Sequence, residues 1–136
     1  MTDTIRWGVL GVAGINASML PAIRGCEGAE LVGIASRDEK RATEAANAES
    51  VRPYVGYDAL LADPQIDAVY LPTPNAQHAP WTIRAVAAGK HVLCEKPLAV
   101  TSAEARAMAE AAAAAGVHLA EAFMYAHHPR IHLVRS

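Results

Sequence analysis

The sequence predicts a doubly wound α/β domain, an open parallel sheet covered by helices on both faces. Three features predict it. Short apolar runs alternate with segments of helical periodicity from Ile5 to Phe123, the pattern of repeated strand–helix–strand units. The connections between successive strands are about as long as a parallel crossover requires. A turn containing Gly11 and Gly14 leads from the first strand into the first helix.

Ile5 to Leu10 reads as the first strand, closed by Gly11. Ile15, Met19, Leu20 and Ile23 follow at helical spacing, interrupted by Pro21. With Ser18 capping a new turn, Pro21 falls among the first positions, where its missing N–H has no helical partner to lose, so a broken or kinked helix is expected. Glu30 to Ser36 is the second strand, and Ser36 with Glu39 reads as a capping box opening a helix to about Asn47. Tyr54-Val55 is a brief third strand, Tyr57 to Ala62 a short helix closed by Asp63-Pro64, and Asp67 to Leu71 a buried strand stopped by Pro72 and Pro74. His78 to Ala88 is helical and ends at Gly89. His91 to Cys94 is the fifth strand and Glu95 to Thr101 an irregular loop. Ser102 caps an alanine-rich helix ended by Gly116, and Val117 to Phe123 is the sixth strand. After Tyr125 an apolar pattern of Ile131, Leu133 and Val134 breaks off at Ser136 before completing an element.

A chain of 136 residues, 52% apolar, buries one core and is short for two domains. Its formal charge is −2, with no run of one sign. A broad electrostatic footprint for nucleic acid or anionic lipid is therefore missing, and a small molecule is the expected partner. No apolar stretch approaches the roughly 20 residues that span a bilayer, and no apolar signal region precedes the first strand. Cys26 and Cys94 are distant, unpaired in spacing and set in apolar surroundings, as reduced thiols of a soluble cytoplasmic protein would be.

The glycine turn is the first candidate site. A pyrophosphate is bound where a helix N-terminus offers backbone N–H groups and no bulky side chain intervenes. Gly11, Val12, Ala13, Gly14, Ile15 and Asn16 occupy that place. Against G-x-G-x-x-G only the first glycine is present, since Ala13 and Asn16 stand at the second and third positions. A plain strand-to-helix turn fits as well on spacing alone. Context favours a dinucleotide, because the second strand ends about 25 residues after Gly11, where ribose recognition is expected. An acidic residue there would accept bonds from a free 2′-hydroxyl, whereas this chain offers Ser36 and Arg37, with Lys40 and Arg41 one turn on. Hydroxyl and cations suit a 2′-phosphate, so NADP is preferred, while Asp38 keeps NAD open.

Four ordered stretches carry a resemblance. Arg6 to Ile15, then Leu71-Pro72-Thr73-Pro74-Asn75 with His78, then Gly89 to Leu98 with Glu95-Lys96-Pro97, together resemble the Gfo/Idh/MocA family of NAD(P)-dependent oxidoreductases. Glu121 to Tyr125 with His128-Pro129 looks most like its dihydrodiol and xylose dehydrogenase branch, although Ala126 stands where an arginine is usual. The resemblance implies a Rossmann nucleotide domain over residues 1–123. Residues 124–136 would then begin the connection to a C-terminal α+β substrate domain that this chain lacks. It implies that Glu95-Lys96-Pro97 lies at the nicotinamide end, with Lys96 catalytic: it holds the substrate hydroxyl and helps move its proton. A hydride leaving a CH–OH carbon needs the oxygen's proton removed and its charge stabilised, which a cation at hydrogen-bond distance favours. Without the family, a Lys beside a Glu after a strand reads as a surface salt bridge. Glu95 would contact the nicotinamide ribose or amide, and Pro97 would fix the loop through a cis Lys-Pro bond.

Leu71, Pro72, Thr73, Asn75 and His78, at the carboxyl edge of the sheet, are expected to border the cofactor crevice, with His78 alternatively capping its helix. Cys94 reads as a packed core thiol, since hydride transfer needs no covalent step. His127, His128 and His132 lack a carboxylate or cysteine partner and are not expected to hold a metal. The implied activity is hydride transfer between NADP(H) or NAD(H) and a sugar, diol or related alcohol, by an enzyme that is homo-oligomeric in full-length form. These residues alone would bind cofactor with little or no turnover. A dinucleotide sensor of the same fold, without catalysis, is the alternative. Phe123, Met124, Leu133 and Val134 are expected to be exposed apolar surface.

Overall fold

The computed structural model describes residues 4–135. Six strands, β1 (Ile5–Leu10), β2 (Ala29–Ser36), β3 (Arg52–Val55), β4 (Ala68–Leu71), β5 (His91–Glu95) and β6 (Leu119–Ala122), alternate with helices α1 (Asn16–Gly25), α2 (Glu39–Glu49), α3 (Tyr57–Leu61), α4 (His78–Ala87) and α5 (Ser102–Ala115). All strand pairs are parallel, in the order β3-β2-β1-β4-β5-β6. The chain thus builds outward from β1 to β3, crosses back through α3, and builds outward again from β4 to β6. Right-handed crossovers in opposite directions place the two sets of helices on opposite faces.

Strand side chains alternate between two cores, as a two-residue period requires. Leu10, Val69, Leu71, Val92 and Cys94 join Leu60 of α3, Val86 of α4 and Met108 of α5 on one face. Val9, Ile34 and Tyr70 pack with Leu20 and Ile23 of α1 on the other, where Leu93 is only partly covered. At roughly 1.5–3 kcal/mol per buried large aliphatic side chain, these two layers supply the main driving force for the fold.

Several local expectations are corrected. α1 runs unbroken through Pro21, with Ser18 inside it and no side-chain cap at its start; packing of Leu20 and Ile23 outweighs the single bond that proline withholds. Asp38, not Ser36, caps α2 by accepting the Arg41 N–H at 2.8 Å, while the Ser36 hydroxyl accepts the Asp38 N–H at 3.2 Å. Thr101, not Ser102, caps α5 in a full capping box with Glu104. The cap is the extended residue that immediately precedes the helix: Ser36 lies too early, at the end of β2, and Ser102 one residue too late, already inside α5. Beyond β6 a 3-10 turn, Met124–His127, leads into a short helix α6 (Pro129–Arg135), an element that the sequence pattern left incomplete. Phe123, Met124, Leu133 and Val134 are exposed as expected. No helix among the described residues is long and apolar enough to cross a membrane.

Candidate cofactor site

The carboxyl ends of the strands form one edge, and register places the predicted residues along it. Leu10 stands opposite Ala35 and Val9 opposite Tyr70, so Gly11 emerges between the end of β2 and the end of β4. Leu71 is paired with Cys94, so Pro72 leaves the sheet beside Glu95. Ser36, Gly11, Pro72 and Glu95 therefore follow one another across the edge.

A cleft of about 470 Å³ opens there, lined by Gly11, Val12, Ala13, Ser36, Arg37, Asp38, Arg41, Tyr57, Pro72, Thr73 and Pro74. Gly11 has φ +134°, which side-chain-bearing residues rarely adopt. A Cβ there would point between the Tyr57 hydroxyl at 3.5 Å and Thr73 Cγ2 at 3.7 Å, into the wall of the cleft. Asn16, which replaces the third fingerprint glycine, is buried and donates its amide to the Gly11 carbonyl at 3.0 Å. It stitches the turn closed from within the first turn of α1, so a side chain holds the turn where a glycine would only permit it. Ala13 lines the cleft, and Gly14 and Ile15 are exposed at the helix start.

At the rim, the Arg41 guanidinium donates to the Val12 carbonyl at 2.9 Å and is thereby held over the turn. Arg37 is exposed beside it, and Ser36 is buried at the end of β2. Asp38 lines the same cleft, but one carboxylate oxygen is occupied in capping α2. The cleft carries a buried hydroxyl, Thr73 Oγ1, with no hydrogen-bond partner among the described residues. A polar cradle with a glycine in a conformation that side-chain-bearing residues rarely adopt, two cations and an unsatisfied hydroxyl fits a phosphorylated ligand better than an apolar one.

The Glu95-Lys96-Pro97 loop is pinned at three places. Tyr70 donates its phenolic O–H to Glu95 Oε1 at 2.8 Å. His78 lies wholly inside, with Nδ1 2.7 Å from the Pro97 carbonyl and Nε2 2.8 Å from the Thr73 carbonyl. The Leu98 N–H donates to Glu121 Oε1 at 2.8 Å. The Lys96-Pro97 bond is cis, as the resemblance implied. Lys96 itself is exposed, and among the described residues its ammonium forms no ion pair.

Some predicted residues stand elsewhere than expected. His78 does not border the crevice with its side chain and does not cap α4; it ties the Thr73 and Pro97 loops together from behind. The Leu71 side chain is in the core, leaving only its backbone near the edge. Asn75 opens an exposed 3-10 turn, Asn75–Gln77, next to the cleft. Cys94 is buried, and burial pushes its thiol up to about 12, which removes any nucleophilic reading at neutral pH. Cys26 is exposed rather than set in apolar surroundings. The side chain of His132 lies outside the described residues.

Sequence reasoning missed Tyr57 and Tyr70. Tyr57 followed a turn glycine at the start of a helix and gave no sign that it faces the cleft. Tyr70 did carry a signal: a single phenol inside the apolar strand Ala68–Leu71 needs a polar partner once buried.

An open parallel sheet of this order, with a glycine turn and a cationic rim at its carboxyl edge, is the architecture of a dinucleotide-binding domain. Residues 5–123 match the Gfo/Idh/MocA model, an oxidoreductase family with an NAD-binding Rossmann fold, and the chain belongs to that family. It is 48% identical to a D-xylose 1-dehydrogenase (NADP+) of Haloferax volcanii over 92% of this chain and 39% of that one. It is 45% identical to an uncharacterized oxidoreductase of Rhizobium meliloti, covering 94% of this chain and 39% of that protein. A 3-ketoreductase from Actinomadura kijaniata, solved with TDP-benzene and NADP, superposes with a TM-score of 0.93 at 41% identity, over 97% of this chain and 42% of that structure. The chain thus spans about two fifths of the length of these relatives.

Proposed function

We propose that this chain binds NADP(H) along the carboxyl edge of its sheet, as the cofactor-binding part of an enzyme that moves a hydride to or from a CH–OH carbon of a sugar, diol or related alcohol. The observation that carries the reading is the placement on one edge of the Gly11 turn, the Ser36-Arg37-Arg41 rim and the Glu95-Lys96-Pro97 loop. The relatives named for xylose and for a 3-keto group support the substrate class, and the NADP in their names or structures supports the cofactor.

In this reading the backbone from Gly11 to Ile15, entering α1, receives the pyrophosphate through N–H groups at a helix N-terminus. Ser36, Arg37 and Arg41 hold the 2′-phosphate, with Arg41 already half immobilised on the Val12 carbonyl. Pro72 and Thr73 wall the middle of the cleft with Asn75 beside it, and His78 holds that wall against the Pro97 loop. Glu95 faces the nicotinamide ribose. Nicotinamide, when bound, would supply the hydride donor or acceptor, while the chain's own groups manage the proton and the charge. The Lys96 ammonium, unpaired by any acid among the described residues, donates to the substrate oxygen and stabilises the negative charge that develops there as the hydroxyl proton passes to a general base of the further domain. By the family resemblance, much of the substrate pocket would lie on a further domain. The 136 residues alone are therefore expected to bind cofactor with little or no turnover, within a cytoplasmic homo-oligomer when full length.

The test is direct titration of the chain with NADPH, NADH and their oxidised forms. Saturable one-site binding with preference for the phosphorylated pair is expected, and failure to bind any of the four overturns the proposal. In the complete gene product, Lys96→Ala is expected to abolish dehydrogenase activity while leaving cofactor affinity within about threefold, as a group that acts mainly in the transition state would. Near-normal rates would remove Lys96 from the mechanism.

A further inference from the structure

We infer that Tyr70 is a positioning residue for the nicotinamide end of the cleft, acting through Glu95; this rests on the cofactor reading above. Tyr70 sits on β4 with its ring wholly buried against the α1 side of the sheet. Packing alone would be met by phenylalanine, and a buried hydroxyl is costly unless it is paired. Its pairing is directed outward, to Glu95 Oε1 at 2.8 Å, at the end of the neighbouring strand. Burial first, then the bond to Glu95, drives the phenol's ionisation far upward, so it remains a donor at any working pH.

The second carboxylate oxygen, Oε2, accepts the Lys96 N–H at 3.1 Å. With one oxygen held from the strand behind and the other from the loop ahead, the carboxylate plane is fixed. Each oxygen keeps a lone pair for a ligand hydroxyl. The rest of the loop is fastened independently, through His78 to Pro97 and Glu121 to Leu98. Removing the Tyr70 hydroxyl should therefore release Glu95 while leaving the loop and the adenosine end in place.

Tyr70→Phe, Glu95→Ala and the double variant are compared by calorimetric titration with NADP+ and with 2′-phospho-ADP-ribose, which lacks the nicotinamide. Thermal melts verify that each variant is folded. Tyr70→Phe is expected to weaken NADP+ about fivefold to tenfold, the cost of ordering a released Glu95 side chain on binding. It should leave 2′-phospho-ADP-ribose within about twofold, and add nothing in the Glu95→Ala background. Equal weakening of both ligands, an additive loss in the double variant, or no loss at all would each overturn the assignment. Failure of the unmodified chain to bind either ligand would instead overturn the cofactor reading itself.

Discussion

Replacing Arg41 by alanine separates the cofactor preference from the fold. The Arg41 main chain, not its side chain, completes the α2 cap by donating to Asp38, so the helix start survives the substitution. What is lost is the guanidinium at the cleft rim and its bond to the Val12 carbonyl at 2.9 Å. That bond is exposed and contributes little to stability, about 0.5 kcal/mol or less. Facing a 2′-phosphate, the same guanidinium provides charge-assisted bonds of about 1.5–3 kcal/mol. Because Val12 already restrains it, little rotamer entropy is spent on binding, and the upper part of that range applies. Arg41→Ala should therefore weaken NADP+ by about 30- to 150-fold at 25 °C, while NAD+ binding changes by less than about threefold. Titration of both dinucleotides at one fixed ionic strength measures the ratio. A parallel loss for the two cofactors would show that Arg41 supports the turn rather than reads the phosphate, and unchanged affinity for both would remove it from the site.

Gly11→Ala forces a side chain into φ +134° and toward Tyr57 and Thr73; a stability loss of about 1–3 kcal/mol by urea unfolding and loss of cofactor binding are expected. Thr101→Ala removes the α5 capping box and should cost about 1 kcal/mol, whereas Ser102→Ala should be near neutral, an order that equilibrium unfolding will check. The Arg6 side chain, bonded through Nε and a terminal nitrogen to Asp67, holds that carboxyl down at about 2. Since the folded value lies below the unfolded one, the contribution is complete above about pH 4 and is lost as pH falls through about 2; with a third of the side chain exposed it amounts to about 1 kcal/mol. The stability gap between the unmodified chain and Asp67→Asn should close over that interval, and a gap independent of pH would refute the assignment. Thiol reagents near pH 7.5 should modify exposed Cys26 and spare Cys94, whose burial keeps it protonated; mass spectrometry of the labelled peptides distinguishes them.

Much of this molecule is written in local pattern. The six strands, their alternation with helices and the end of α5 at Gly116 follow from periodicity and turn chemistry, because each depends on residues close in sequence. Gly11, Lys96 and Pro97 were legible through motif and position. Pro21 shows where such reading fails: a proline predicts a break, yet the α1 face that buries Leu20 and Ile23 keeps the helix whole. The caps at Asp38 and Thr101 failed for a smaller reason, since neighbouring residues of similar chemistry competed for one geometric role.

The sequence by itself determined the doubly wound class, the glycine turn and the loop that carries Lys96, all of them features of contiguous segments. Only the tertiary structure decided which side chains meet across the sheet. Tyr70 reaches Glu95 from 25 residues away, His78 joins Thr73 to Pro97, and Arg41 leans over Val12 from another helix. Those contacts arise from strand order and register, which place β4 between β1 and β5. Strand order is a property of the whole packed sheet, set by crossovers and burial on both faces rather than by any short stretch of chain.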